Sequence, residues 1–172
     1  MKRLKKIKVG IEKVNKVYHI ADVHIRNLKR HKEYRDVFSH LYGYILSTME
    51  ENDIIYIAGD IVHAKTDMSP EVVDLTQEFF TRLADLLPTI VIPGNHDANL
   101  NNTSRLDALS PIVKALGHPN LFYLKDTGAW SLGNMTIVHQ SVWDKSPGFP
   151  PAADYKGDVK VGVFHGPVDK IE

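Results

Sequence analysis

The sequence predicts one domain of the α/β class, in which strands and helices pack in layers. The chain has 172 residues, the usual length of a single domain. Hydrophobic residues make up 43% of it and charged residues 24%, as in ordinary globular proteins. Short apolar runs alternate with longer amphipathic stretches, and this alternation is typical of α/β domains rather than of all-helical or all-β ones.

Strands and helices alternate in the first half of the chain. Three short, largely apolar runs are predicted strands: 16–21, 54–58 and 89–92. Residues 33–50 carry apolar side chains at helical spacing, which predicts a helix with one stripe against a sheet. Ser69, Pro70 and Glu71 form a helix-start signal, and the helix that they open is predicted to end near residue 87.

Shorter elements follow in the second half of the chain. A helical stretch is predicted over 104–116, interrupted or restarted at a Ser-Pro pair. Four further runs are predicted strands: 121–124, 129–132, 135–139 and 160–164. Gly133 and Asn134 are a hairpin turn pair between two of them, so we expect a meander-like arrangement. A proline-rich loop is predicted over 146–155.

Composition excludes several classes of protein. The chain has no cysteine, which rules out disulfide frameworks, thiol catalysis and cysteine-ligated metals, and which fits a reducing compartment. Any bound metal must therefore use histidine and carboxylate ligands. No apolar run approaches the ~20 residues that span a bilayer, and no secretory signal follows the basic N-terminus. We expect a cytoplasmic or nucleoid-associated protein without a membrane partner.

The formal net charge of zero hides an asymmetry along the chain. Residues 1–35 contain 12 Lys and Arg against three acidic residues, so this segment is basic and the remainder is acidic. Residues 1–15 are expected to form a basic N-terminal arm or an edge strand, and residues 16–172 the functional domain. The basic side chains are either solvated or in contact with nucleic-acid phosphates.

Polar residues that can bind metals follow four of the predicted strands. These clusters are Asp22-Val23-His24, Gly59-Asp60-Ile61-Val62-His63, Gly94-Asn95-His96-Asp97 and His165-Gly166. In open α/β sheets, ligands bind in the crevice beyond the carboxyl ends of the strands. The sequence therefore predicts that the four clusters meet at one site.

The first two clusters offer carboxylate and imidazole ligands. Asp22 and His24 are two residues apart, so in an extended segment both side chains point to one face and can bind one cation. A turn aspartate beside a surface histidine would produce the same pattern. Asp60 follows a glycine that allows a sharp turn, and its two oxygens can bridge two cations. His63 either binds metal or reaches a bound substrate.

Each polar side chain of the cluster at residues 94–97 has a separate expected role in the site. The amide oxygen of Asn95 can ligate a metal, while His96 is free to contact substrate. Asp97 is expected to orient the His96 imidazole and to raise its pKa, which suits proton donation near neutral pH. His165 would be a core histidine if it stood alone, but its place after a strand lets it complete the shell of a second metal.

These ligands favour Mn²⁺, with Fe²⁺ or Zn²⁺ as alternatives, because hard oxygens are mixed with imidazole and no thiolate is present. Two cations about 3.5–4 Å apart can clamp the attacking and leaving oxygens of an in-line phosphoryl displacement. The chemistry predicted for the site is hydrolysis of a phosphate ester.

The ordered set Asp-x-His, Gly-Asp, Gly-Asn-His-Asp and a later His resembles the calcineurin-like metallophosphoesterases over residues 16–166. The run from Gly59 to His63 is similar to the nuclease subunit of the DNA double-strand-break repair complex, the SbcD type, which includes phage recombination nucleases. The resemblance implies a β-sheet sandwich flanked by helices, a homodimer and an SMC-like ATPase partner. It also implies a role for each matching residue: Asp22 and His24 on one metal, Asp60 as the bridge, Asn95 and His165 on the other metal, His96 as proton donor or transition-state stabiliser, and His63 facing the substrate.

The sequence departs from the family pattern at two places. Ile25 and Arg26 stand where Leu-Gly is common after Asp-x-His. The family's later Gly-His-x-His motif does not occur in these 172 residues. The resemblance therefore implies a domain truncated at its C-terminal end, in which each metal lacks one histidine and the sheet lacks a strand. We expect weak metal binding and poor activity from such a chain.

Three functions remain in competition. The leading interpretation is a manganese-dependent DNA exonuclease or endonuclease of repair or recombination. Five cations after the first cluster could hold the DNA backbone, or could simply be the solvated start of a helix: Arg26, Lys29, Arg30, Lys32 and Arg35. The second interpretation is a phosphodiesterase or phosphatase acting on a nucleotide or another small molecule. The third is a DNA-end-binding subunit whose site is impaired.

Overall fold

The computed structural model describes residues 4–144 and 151–166, which form the predicted α/β architecture in three layers. The helices of this part are α1 His31–Thr48, α2 Pro70–Leu86 and α3 Leu109–Leu116. Its strands are β1 Lys5–Lys6, β2 Val17–Ile20, β3 Ile54–Ala58, β4 Thr89–Ile92, β5 Leu121–Tyr123, β6 Gly128–Leu132, β7 Met135–His139 and β8 Val159–Val163. None of the helices described is long and apolar enough to cross a membrane.

The first sheet is fully parallel and has the strand order β2-β3-β4-β5. Ile55, Ile57 and Val91 point from it towards the three helices, with which they form one apolar core. Neighbouring residues on the same strands, such as Ile54 and Ile90, belong to a second core on the opposite face. This sheet is therefore covered on both faces, which explains why its inner strands are almost wholly apolar.

The second sheet has the strand order β1-β6-β7-β8 and packs face to face against the first. Trp130, Leu132 and Ile137 from this sheet meet Ile54 and Ile92 from the first sheet in the shared core. The domain is thus a sandwich of two sheets with helices on one side. The implied metallophosphoesterase-type architecture is confirmed.

The expectation of a meander in the second half is wrong. The predicted hairpin between β6 and β7 is present and antiparallel, and Gly133 in its turn has a φ of 54°. However, β5 pairs parallel with β4 in the first sheet, and β8 runs parallel to β7. A parallel neighbour needs a long crossover, and the chain between β7 and β8 runs from residue 140 to residue 158, of which 145–150 lie outside the described residues.

The N-terminal residues that the structure describes include a short strand. Lys5–Lys6 pairs parallel with β6 at the edge of the second sheet, and Ile7 is buried in the core between the sheets. The predicted division of the chain at residue 15 stays a prediction.

Two other predicted elements differ from those observed by more than a small shift of their ends. Helix α3 begins at Leu109 rather than at residue 104, because the Asp107 carboxylate accepts hydrogen bonds from the backbone N–H groups of Leu109 and Ser110. The loop predicted over 146–155 lies partly outside the described residues. Within it, Ala152–Asp154 forms one turn of 3₁₀ helix.

Candidate metal centre

The carboxyl ends of four strands meet at one place, as the sequence predicts. Strands β2, β3 and β4 run parallel, with Ile20 level with Ile57 and Ala58 level with Ile92. The second sheet contributes β8, after which the Nδ1 atom of His165 lies 2.5 Å from the Ala58 carbonyl oxygen. Residues more than 100 positions apart in sequence therefore line one site.

Asp60 lies at the centre of this site and is only 3% exposed. Its Oδ2 atom lies 3.4 Å from Nε2 of His24 and 3.3 Å from Nε2 of His165. Its Oδ1 atom accepts a hydrogen bond of 2.9 Å from the backbone N–H of His96. One carboxylate oxygen thus stands between two imidazoles from opposite sheets.

Two further oxygen donors flank Asp60, one on each side. The Oδ1 atom of Asp22 lies 3.7 Å from Nε2 of His24, and the Oδ1 atom of Asn95 lies 3.2 Å from Nε2 of His165. Ligand atoms about 2.1 Å from a four-coordinate cation stand about 3.4 Å apart, so these spacings fit shared cations. Asp22, Asp60 and His165 offer ligand atoms within 4.8 Å of one another, and so do His24, His63 and His96. The division into two sets that the family resemblance implies stays a prediction.

The backbone at this site adopts unusual conformations. Asp22, His24 and Asp60 all have positive φ, between 50° and 55°. Such conformations are costly for residues other than glycine and cluster at functional sites. Gly94 allows the closest approach, because a Cβ atom there would lie 2.0 Å from Oδ1 of Asp60.

Asp60 and His165 shift each other's pKa in opposite directions. The hydrogen bond to Asp60 raises the pKa of His165 to about 9, although burial opposes this shift. Burial acts to raise the pKa of Asp60, but the hydrogen bonds from His165 and His96 outweigh it and hold that pKa below its usual value. The pair is therefore an imidazolium and a carboxylate, and a cation between them would replace the shared proton.

The expectation that Asp97 orients the His96 imidazole is wrong. Nδ1 of His96 instead lies 2.6 Å from the backbone carbonyl oxygen of His63. Asp97 is 0% exposed and accepts hydrogen bonds from three backbone N–H groups, those of Ile61, Val62 and Gly94. The role of Asp97 is to join the two loops that carry Asp60 and Asn95.

Three imidazoles form one wall of the site. The ring centroids of His24 and His96 are 4.7 Å apart, and the His63 ring lies 5.6 Å from each of them. Desolvation lowers the pKa of His63, and the positive charge of nearby Arg26 lowers it further. Since His63 is exposed and stands beside His96, both rings can contact a substrate held at Asp60.

The five cations that the sequence suggests for DNA contact fall into two groups in the structure. Arg26, Lys29 and Arg30 line a cavity of about 490 Å³ next to His24. The other two are engaged elsewhere: Lys32 pairs with Asp36 at 3.0 Å, while Arg35 lies 3.0 Å from both Asp74 and Glu78 on α2.

Two residues that the sequence did not single out support the site. The Tyr34 hydroxyl donates a hydrogen bond of 2.6 Å to the carbonyl oxygen of His24. The Lys65 ammonium donates one of 3.2 Å to the carbonyl oxygen of Asn95. Tyr34 belongs to the apolar stripe of α1 and Lys65 to a polar loop, so neither pattern signals the contact.

A two-sheet sandwich with carboxylate, amide and imidazole donors gathered at the strand ends is typical of metal-dependent phosphoesterases. The sequence matches the family described as calcineurin-like phosphoesterase over residues 15–171. The chain belongs to this family, whose fold and site support hydrolysis of phosphoesters with divalent metals.

Two further similarities were found. The chain is 42% identical over 165 residues to the uncharacterized protein R555 of Acanthamoeba polyphaga mimivirus. That match covers 88% of this chain and 12% of the viral protein, so the chain spans a small part of its relative. Among solved structures, the protein of unknown function AQ665 from Aquifex aeolicus is similar over 73% of this chain and 61% of its own, with 16% identity and a TM-score of 0.37.

Proposed function

We propose that this protein hydrolyses phosphodiester bonds of DNA at a centre of two divalent cations, with Mn²⁺ as the preferred metal. The observation that carries the proposal is the position of Asp60 between the set of Asp22 and His24 and the set of Asn95 and His165. Carboxylate, amide and imidazole donors in this mixture suit Mn²⁺, and also Fe²⁺ or Zn²⁺.

Bound cations of this kind polarise a phosphoryl oxygen and lower the pKa of a bound water, which supplies the nucleophile near neutral pH. The protein's own contribution is to hold the donors and to handle charge and protons at the substrate. Nδ1 of His96 is tied to the His63 carbonyl oxygen, which leaves Nε2 to face the substrate. We assign to Nε2 of His96 the stabilisation of charge on the phosphoryl group or proton donation to the leaving oxygen.

DNA is favoured over a small ester by the surroundings of the centre. Asp22 is 62% exposed, and an open groove of about 610 Å³ beside Asp22 and His165 leaves room for a large substrate. Arg26, Lys29 and Arg30, which pair with no carboxylate among the described residues, stand next to His24. The similarity of residues 59–63 to the SbcD type further supports a role in repair or recombination. By the same resemblance we propose a homodimer and an SMC-like ATPase as partners.

Turnover on two kinds of substrate tests the proposal. The metal-free protein is loaded with Mn²⁺, Fe²⁺, Zn²⁺ or Mg²⁺ and incubated with single-stranded DNA, duplex DNA and bis(p-nitrophenyl) phosphate. We expect DNA hydrolysis that is strongest with Mn²⁺ and is lost in Asp60→Asn. Cleavage of the small diester without cleavage of DNA would identify a small-molecule phosphodiesterase. DNA binding without cleavage of either substrate would identify a DNA-binding subunit that lacks activity.

A further inference from the structure

The loop over residues 22–30, which connects β2 to α1, is held in place along its length. Backbone hydrogen bonds join Ile25 to Ile61, and three side-chain contacts of 2.6–2.7 Å join Tyr34 to His24, Asn27 to Asp67 and His31 to Arg26. The Asn27 contact ties the loop to the segment after β3, which also carries His63. The loop backbone is thus fixed relative to the metal centre.

Three cations of this loop remain without a carboxylate partner. Among the residues that the structure describes, no carboxylate forms an ion pair with Arg26, Lys29 or Arg30, and all three side chains are exposed. Their neighbours Lys32 and Arg35 on α1 are both paired. Three unpaired positive charges on one short anchored loop repel one another, so the arrangement favours an anionic ligand.

The three cations share a cavity with a metal-site residue. Arg26, Lys29 and Arg30 line a space of about 490 Å³ whose wall includes His24. His24 also lies at the metal centre, where its Nε2 atom is 3.4 Å from Oδ2 of Asp60. An anion in the cavity would therefore lie near a phosphate at the metal centre, since His24 borders both.

We propose that Arg26, Lys29 and Arg30 form a subsite for the phosphate that adjoins the scissile one on the same strand. The preferred substrate then has at least two consecutive phosphates, as a polynucleotide does and a simple diester does not. This inference rests on the proposed function, since it takes the scissile phosphate to lie at Asp60. The fixed loop lets the cations bind the phosphate without first ordering the backbone.

Binding without turnover tests the subsite directly. Fluorescence anisotropy measures the affinity of metal-free protein for a labelled oligothymidylate between 50 and 200 mM salt, roughly the range over which phosphate contacts are resolved. Arg26→Gln, Lys29→Gln and Arg30→Gln should each reduce the slope of log affinity against log salt by about 0.7, the value for one phosphate contact with a single strand. The matched control is Lys114→Gln, an exposed lysine on α3 away from the loop.

Turnover separates the subsite from the reacting centre. We compare kcat/KM for a thymidine trinucleotide, which has two phosphodiesters, with kcat/KM for bis(p-nitrophenyl) phosphate. In Arg26→Gln, kcat/KM for the trinucleotide should fall about tenfold relative to kcat/KM for the small diester, which is the equivalent of one charged hydrogen bond. The change should appear mainly as a higher KM for the trinucleotide. An equal loss on both substrates would place Arg26 at the reacting phosphate and overturn the subsite.

The two assays distinguish failure of the subsite from failure of the proposed function. If the wild-type protein hydrolyses neither substrate with any metal, the proposed function fails, while the salt slopes still decide whether the cations bind a strand. If the wild type is active but the three variants keep its salt slope of DNA affinity and its ratio of kcat/KM on the two substrates, the subsite is wrong and the proposed function stands.

Discussion

Asp60 is the residue on which both sets of metal donors depend. Its carboxylate is buried, while Asp22 is largely exposed, and the family resemblance assigns Asp22 to one metal only. Replacement of Asp60 should therefore affect both metals, whereas replacement of Asp22 should affect only one. The two residues are of the same type and lie at the ends of neighbouring strands.

We predict that Asp60→Asn weakens binding at both metal positions by at least about 10- to 100-fold, because an amide offers only one ligating oxygen and no charge. Asp22→Asn should weaken one position and leave the other. Isothermal titration with Mn²⁺ counts the sites, and anomalous scattering from Mn²⁺-soaked crystals locates them. Two fully occupied sites in Asp60→Asn would contradict the bridging role.

His96 lies beside the donors around Asp60, and the family resemblance gives it a role on the substrate rather than on a metal. Its ring is fixed through Nδ1 by a backbone carbonyl oxygen, and we expect Asp22, Asp60 and His165 to stay in place when the side chain is removed. We predict that His96→Ala lowers kcat roughly 10²-fold or more, the usual contribution of a positioned acid or base, with metal content unchanged. Metal analysis beside steady-state kinetics checks this, with the exposed His40→Ala as control. A parallel loss of metal would make His96 a ligand instead.

At the scale of elements, the glycine between β4 and the following loop allows two strand ends to approach each other. A Cβ atom at Gly94 would lie 2.0 Å from the Asp60 carboxylate, whereas a Cβ atom at Gly43 in the middle of α1 would meet nothing within 4 Å. The same substitution should therefore have opposite effects at the two positions.

We predict that Gly94→Ala displaces Asp60 and lowers both metal affinity and stability. Gly43→Ala should instead raise the free energy of unfolding by about 1 kcal/mol, the helix propensity difference between the two residues. Urea denaturation and Mn²⁺ titration of both variants check this pair. Unchanged metal affinity in Gly94→Ala would show that the loop can move aside without harm.

The start of helix α3 depends on a buried carboxylate. Asp107 accepts hydrogen bonds from the backbone N–H groups of Leu109 and Ser110 and pairs with the Lys125 ammonium at 2.9 Å. Burial acts to raise the pKa of Asp107, but the hydrogen bonds from Ser110 and Lys125 outweigh it, so the pKa lies below the ordinary value of 3.8. The ionised form is therefore stabilised by folding.

This shift has a definite sign in the pH dependence of stability. A lowered pKa in the folded state contributes stability above the unfolded pKa, and the contribution is lost as the pH falls through the folded value. We predict that Asp107→Asn lowers the free energy of unfolding by about 2 kcal/mol at pH 7 and that the difference from wild type becomes smaller below about pH 4. Urea denaturation of both proteins at several pH values measures this difference. A difference that stays constant down to pH 2 would mean that the variant loses packing rather than a favourable charge interaction.

On the scale of the whole molecule, the metal centre joins the two sheets. Asp22, Asp60 and Asn95 follow strands of the first sheet, while His165 follows β8 of the second. A cation bound by Asp60 and His165 would therefore connect the two layers of the sandwich at one end.

We predict that Mn²⁺ stabilises the folded protein by mass action, by about 2.7 kcal/mol at a free concentration 100 times Kd. Thermal unfolding with increasing Mn²⁺, against a series with EDTA, measures this effect. The increase in Tm on addition of Mn²⁺ should be much smaller in Asp60→Asn than in the wild type. In EDTA, the Tm values of the two proteins should differ less than they do in Mn²⁺. An equal increase in both would mean that Mn²⁺ binds elsewhere.

The elements that the sequence predicted most closely are those with the strongest local pattern. Strands β3, β4 and β7 have the predicted bounds, because a short apolar run between turn residues has few alternatives. The α3 boundary was placed five residues too early. Asp107 bonds locally to Leu109 and Ser110, and it also contacts Tyr123 and Lys125, which are distant in sequence and which the local pattern does not show. The parallel pairing of β8 could not be predicted either, because pairing partners leave no local signal.

For the site, residue types and their positions at strand ends were sufficient to predict which side chains meet there, since parallel strands bring their carboxyl ends together. The folded arrangement decided what each side chain does there. It assigned Asp97 to three backbone N–H groups rather than to His96. It also paired Arg35 with α2, while no carboxylate in the described ranges pairs with Arg26. Hydrogen bonds and ion pairs form between groups that are close in space, and for these residues the partners lie three to 43 positions away in the chain. Local patterning thus determines which chemistry the chain carries, and tertiary packing determines which groups perform it.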